Sequence, residues 1–162
     1  MDPEFDRDIA TFWRLLFVIV LDGEKRLAAN IASHELTPPQ FYVLKTLSER
    51  GGRCAIGQIA RQHHLTNATM TGLIKRMEAA DPPLVARERS GSDRRSVVVT
   101  LTPAGHARFL AVQADLMEQL RAALALTSLE ERKQLLHFLD HYVRLVPHLF
   151  PAQPASDSGP AE

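Results

Sequence analysis

The stretch from His64 to Gly105 constrains the fold more than any other part of this chain. Met70, Leu73, Ile74 and Met77 recur at the three- and four-residue spacing of one helical face. Small or polar Asn67, Ala68, Thr71, Gly72 and Lys75 fall on the other. Thr66 stands where an N-cap belongs, and Asp81-Pro82-Pro83 ends the helix because proline lacks the amide that would continue it. Leu84 to Ser90 and Ser96 to Leu101 then alternate around a Ser-Gly-Ser-Asp-Arg-Arg turn, with Val97 and Val99 sharing one face. That pattern predicts a β-hairpin. A slim helix beside an arginine-tipped ribbon can grip duplex DNA, as a winged helix-turn-helix does.

The flanking segments predict helices. Asp8 to about Ala32 is apolar most of the way round between Phe12 and Leu21, which calls for cover by more than one neighbour, as in a dimer core. Thr37-Pro38-Pro39 opens a second helix that buries Phe41, Leu44 and Leu47 and stops at Gly51-Gly52. A third runs from about Gly57 to His63 with Ile59 and Ala60 inward, and a turn at His64-Leu65 leads into the helix after Thr66. Thr102-Pro103 starts a long helix reaching about Leu126. Ser128-Leu129-Glu130-Glu131 has capping-box spacing and opens the last, to about Leu149. Its Leu135, Leu136, Leu139, Val143 and Val146 are expected to close a seam with the first helix.

The expected fold class is therefore mainly α with a small β-hairpin wing. A winged helix-turn-helix at 36–102 is flanked by dimerisation helices at 6–34 and 103–149. Residues 1–5 read as a cloning remnant, and the Pro-, Ala- and Ser-rich 151–162 as a disordered tail.

The formal net charge of zero hides an uneven distribution. From Leu36 to His106 ten Lys and Arg face five Asp and Glu, whereas the remainder has nine against fourteen. A basic middle between acidic flanks suits a phosphate-facing module. The longest apolar run, Leu15 to Leu21, is too short to span a bilayer, and there is no secretory signal. The single cysteine, Cys54, excludes an internal disulfide and suits a reducing cytoplasm. No Gly-rich phosphate loop, HExxH pair or nucleophile elbow is present, so neither an enzyme nor a cofactor is expected.

Four blocks in order, LTPPQFYVL, GQIARQHHLTNATMTGLIKRME, LVARERSGSDRRSVVVTLTPAG and SLEERKQLLHFL, resemble the MarR family of bacterial winged-helix transcriptional regulators. The resemblance covers about residues 8 to 149. Its most specific part is Asp93-Arg94-Arg95 followed by Leu101-Thr102 and Gly105. It implies a homodimer with interleaved terminal helices, binding a pseudopalindromic operator and releasing it when a small molecule, a metal or an oxidant acts. Two places depart from the family pattern. Asp81-Pro82-Pro83-Leu84 replaces a Gly and lengthens the junction before the wing, and Cys54-Ala55-Ile56-Gly57 lacks the usual Ser or Thr cap.

Helix N-termini present unpaired N–H groups, so Thr66, Asn67 and Ala68 are candidates to meet a phosphate or base edge. Asn67, Thr69, Thr71 and Lys75 are candidates for groove contacts, Arg76 for the backbone. The bland alternative is a solvated helix face. In the wing, Asp93 can brace Arg95 while Arg94 and Arg95 reach the backbone or minor groove, and Arg87 and Arg89 flank phosphates. The alternative there is an exposed salt bridge worth under about 1 kcal/mol. Gly72 is costly inside a helix, and close approach of DNA or the wing would rationalise it.

For an effector, Trp13, Phe17, His34, Phe41 and Tyr42 are candidate lining residues, each equally explicable as core or interface. Cys54 beside Arg53 is a candidate oxidant sensor or a plain buried cysteine. His137 and His141, four apart with Asp140 adjoining, have metal-binding spacing, with His34 or His148 as candidates to complete a site. A ligand-responsive repressor is the leading expectation. The alternatives are a metal- or oxidant-responsive regulator of the same fold, or a winged-helix protein-interaction module that binds no DNA.

Overall fold

The computed structural model describes residues 2–89 and 97–149. In chain order the elements are α1 (Pro3–Ser33), α2 (Pro38–Glu49), β1 (Arg53–Ala55), α3 (Ile56–Gln62), α4 (Asn67–Glu78), β2 (Val85–Arg89), β3 (Val97–Leu101), α5 (Pro103–Ala125) and α6 (Leu129–Leu149). Residues up to Met117 make one compact unit and those from Glu118 another. The expected mainly-α fold with a small β wing is what the structure has.

Boundaries follow local chemistry. Helix α1 begins earlier than its apolar periodicity, because the Asp2 carboxylate accepts the Glu4 N–H at 3.0 Å and Pro3 fits the first turn. Residues 3–5, expected to lie outside the fold, are thus helical. At the end of α2 the chain needs positive φ twice, at Gly51 (72°) and Gly52 (83°), and the Gly52 amide returns to the Leu47 carbonyl at 2.7 Å. In the second unit, Glu131 accepts the Ser128 amide at 2.8 Å and Ser128 Oγ accepts the Glu131 amide at 3.2 Å. The capping box expected at the start of α6 is present.

The hairpin gains a strand. The sheet order is β1-β3-β2, antiparallel throughout, with Arg53 opposite Thr100, Cys54 opposite Val99 and Val85 opposite Leu101. Strand β1 is too short to show an alternation in sequence. Its pairing with β3 joins the hairpin to the start of α3.

The core of the first unit takes its side chains from every element between the end of α1 and the first turns of α5. Ile31, Leu44, Leu47, Ile59, Met70, Ile74, Met77, Val85, Val99 and Val112 are fully buried, and Phe41 stacks on Phe109 with centroids 5.7 Å apart. Each such side chain contributes about 1.5–3 kcal/mol relative to exposure. Burial within α1 is confined to its end, at Asn30 and Ile31. Upstream, Ile9, Trp13, Phe17, Val18, Ile19, Val20 and Leu21 are all at least 45% exposed. In the second unit, α6 likewise exposes Leu135, Leu136, Phe138, Leu139 and Val143. Among the described residues no helix is long and apolar enough to cross a membrane.

The lengthened junction between α4 and the wing is tightly bonded. The Leu84 amide donates to the Met77 carbonyl at 3.0 Å, and the Thr102 amide donates to the Leu84 carbonyl at 3.2 Å. Thr102 Oγ1 donates to the Pro83 carbonyl at 2.6 Å and accepts the Gly105 amide at 3.0 Å, so one hydroxyl caps α5 and anchors the junction. A Cβ at Gly105 would lie 2.0 Å from the Leu84 oxygen. Only glycine lets these two backbones meet.

Candidate nucleic-acid interface

Helices α3 and α4 with the turn between them form a helix-turn-helix, the candidate reading unit. Ala55 caps α3 without a side-chain hydrogen bond, as the missing Ser or Thr predicts. The turn is closed by His64 at φ 53° and by the Leu65 amide donating to the Ala60 carbonyl at 2.9 Å. It is tied to α2 by side chains. Arg50 donates to Gln62 Oε1 at 2.9 Å, Gln62 Nε2 donates to Thr46 Oγ1 at 3.3 Å, and Thr46 Oγ1 lies 2.9 Å from His63 Nε2. Partial burial, then the charges of His64 and Lys45, hold the His63 imidazole below its ordinary pKa.

Helix α4 buries Met70, Leu73, Ile74 and Met77, the face expected from their spacing. Thr66 Oγ1 accepts the Thr69 amide at 3.2 Å, which fixes the first turn. Thr66, Asn67, Ala68, Thr69, Lys75 and Arg76 are exposed. Thr71 is half-buried and its hydroxyl donates to the Asn67 carbonyl at 2.7 Å, so it faces inward more than its neighbours. A Cβ at Gly72 would meet only the Arg76 guanidinium, 3.8 Å away. Among the described residues the wing does not crowd Gly72, which removes one of the two reasons offered for a glycine there.

A groove of about 490 Å³ runs beside the N-terminal half of α4. Asn67 and Thr71 line it with Gln58 and Arg61 of α3 and Arg87 and Val97 of the wing strands. Gln58 and Arg61 were missed in the sequence. Their three-residue spacing, opposite buried Ile59 and Ala60, was the available signal.

Arg87 is not placed as a simple phosphate contact. Its Nε donates to Glu78 Oε2 at 2.7 Å and its backbone amide to Glu78 Oε1 at 3.2 Å. These bonds hold the Glu78 carboxyl below the usual range. On the same strand Glu88 accepts from Arg53 of β1 at 3.1 Å. Arg89 ends β2, and Asp93, Arg94 and Arg95 lie outside the described residues, as does the 151–162 tail.

The five effector candidates fall in different surroundings. Trp13 and Phe17 pack on each other at 4.5 Å and are exposed. His34 Nε2 lies 2.8 Å from Asp115 Oδ2. Phe41 belongs to the core, while Tyr42 borders a cavity of about 200 Å³ with Pro39, Val43, His63, Leu65 and Met70. Cys54 is buried, its thiol 3.4 Å from Gln58 Oε1. His137 and His141 are exposed on α6, and among the described residues no three His, Cys, Asp or Glu are grouped to hold a metal ion.

The MarR family model matches residues 36–97. The HTH-type transcriptional regulator TtmR of Methylorubrum extorquens is 36% identical over 106 residues, covering 65% of this chain. The chain spans only about half (52%) of that protein's length. The HTH-type transcriptional regulator PecS of Dickeya dadantii is 32% identical, with 69% of this chain and 68% of that protein covered. A solved MarR family protein from Bacillus stearothermophilus is 27% identical with a TM-score of 0.75, over 89% of this chain and 96% of the other.

Proposed function

This chain belongs to the MarR family of transcriptional regulators, and we propose on that premise that it is a homodimeric repressor whose grip on a pseudopalindromic operator is released by a small molecule. The observation that carries the reading is the exposed first turn of α4. Thr66, Asn67, Ala68 and Thr69 stand there at the positive end of a capped helix, with Lys75 and Arg76 along the same element. Base edges are read by Asn67, Thr69 and Lys75. Arg76 and the wing arginines Arg89, Arg94 and Arg95 meet the backbone or minor groove, with Asp93 bracing Arg95.

A two-fold dimer sets its reading helices about 34–36 Å apart, in successive major grooves. The exposed apolar length of α1 supports such a dimer. Burial of Cys54 favours a ligand over an oxidant as the effector. We place the protein in the cytoplasm, where its DNA is.

Duplex-DNA binding across a salt titration tests the reading. Affinity should fall steeply with salt, because each neutralised phosphate releases counterions. Absence of any salt-dependent duplex binding would leave the protein-interaction module as the better account.

A further inference from the structure

Glu78 and Arg87 join the two elements that the proposed function needs to act together, α4 and β2. The carboxylate takes the Arg87 amide on one oxygen at 3.2 Å, and Nε at 2.7 Å together with Nη2 on the other. Both side chains are about one-third exposed, at 33% and 32%. Glu78 is the last residue of α4, where the negative end of the helix dipole disfavours an acid. Helix chemistry therefore does not account for it, whereas Arg87 does. Arg87 also lines the groove with Asn67 and Thr71, so the clamped guanidinium borders the proposed reading surface.

We propose that Glu78 is a specificity-determining positioning residue, which clamps Arg87 between reading helix and wing and withdraws its charge from indiscriminate phosphate attraction. The inference rests on the DNA-binding reading above. Sequence-independent affinity grows with the number of phosphates neutralised, whereas sequence is read at base edges and through correct placement. A guanidinium satisfied by a carboxylate adds little to the first term. The same bonds fix β2 against α4 and so serve the second.

Full-length wild type, Glu78→Gln and Arg87→Gln are compared on a duplex enriched from a random pool by the wild-type protein and on its scrambled version, with salt varied. On scrambled duplex, Glu78→Gln should steepen the log–log salt slope by about 0.9, or roughly 3- to 4-fold extra loss per about fourfold rise in salt. Its enriched-to-scrambled affinity ratio should fall, while Arg87→Gln keeps the wild-type slope. A purely structural Glu78 would lower thermal stability and leave slope and ratio unchanged, overturning the proposal. An Arg87→Gln slope shallower by one phosphate would overturn it too, and decides alone if Glu78→Gln does not fold. Wild type without salt-dependent binding to either duplex would instead defeat the DNA-binding reading itself.

Discussion

His63 shows how one side chain ties the α3–α4 turn to α2. Thr46 is 1% exposed and its hydroxyl oxygen already accepts from Gln62. Thr46 Oγ1 also lies 2.9 Å from His63 Nε2, and the hydroxyl can donate its proton to that nitrogen only while the imidazole is neutral. Burial, His64 and Lys45 all push toward that neutral form. The folded pKa lies below the unfolded value of about 6.5, so the unfolded chain binds more protons between the two. The contribution is fully present above about pH 6.5 and is lost as pH falls through the lowered folded value. Unfolding by denaturant should therefore show stability declining as pH falls below about 6.5, and His63→Gln should flatten that decline. An unchanged pH profile in the variant would assign the effect elsewhere. At the same scale Gly105 was legible only as a motif letter. Its physical reason, the Leu84 carbonyl 2.0 Å from where a Cβ would stand, comes from two segments about twenty residues apart in sequence.

Helix α4 was readable almost entirely from its own residues. The Thr66 cap, the buried Met70, Leu73, Ile74 and Met77, and the stop after Glu78 are local properties that packing did not override. Gly72 breaks the local rule, costing about 1 kcal/mol against alanine, and nothing among the described residues requires it. Gly72→Ala should thus raise stability by about that amount and weaken DNA binding, if the missing methyl makes room for the duplex. Thermal unfolding and operator affinity measured together check this; a variant both more stable and equally tight would return Gly72 to an ordinary helix position. The wing was less legible. Alternation revealed β2 and β3, but β1 contributes three residues and exists because Cys54 finds Val99 across the sheet. Arg87 was assigned to phosphates from strand alternation, which carries no information about a carboxylate nine residues upstream in another element.

At the scale of the molecule, α1 leaves a long apolar surface uncovered. Ile19 is 70% exposed and Val20 53%, beside Phe17 and Leu21, over a helix of 31 residues. Exposed apolar surface of that extent marks an interaction site. Phe17→Glu combined with Leu21→Glu, one turn apart, should yield a monomer by light scattering and abolish operator binding while leaving the 36–102 lobe folded. Persistence of a dimeric mass would move the interface off this part of α1. Local sequence was enough for the helices from α2 onward, the caps of α4, α5 and α6, the hairpin and the family, because periodicity, capping chemistry and proline stops act within a few residues. The tertiary structure alone decided what Arg87 faces, why position 105 is glycine and how the α3–α4 turn is bonded to α2. Those depend on partners brought together by folding, and spacing along the chain does not encode distances between elements.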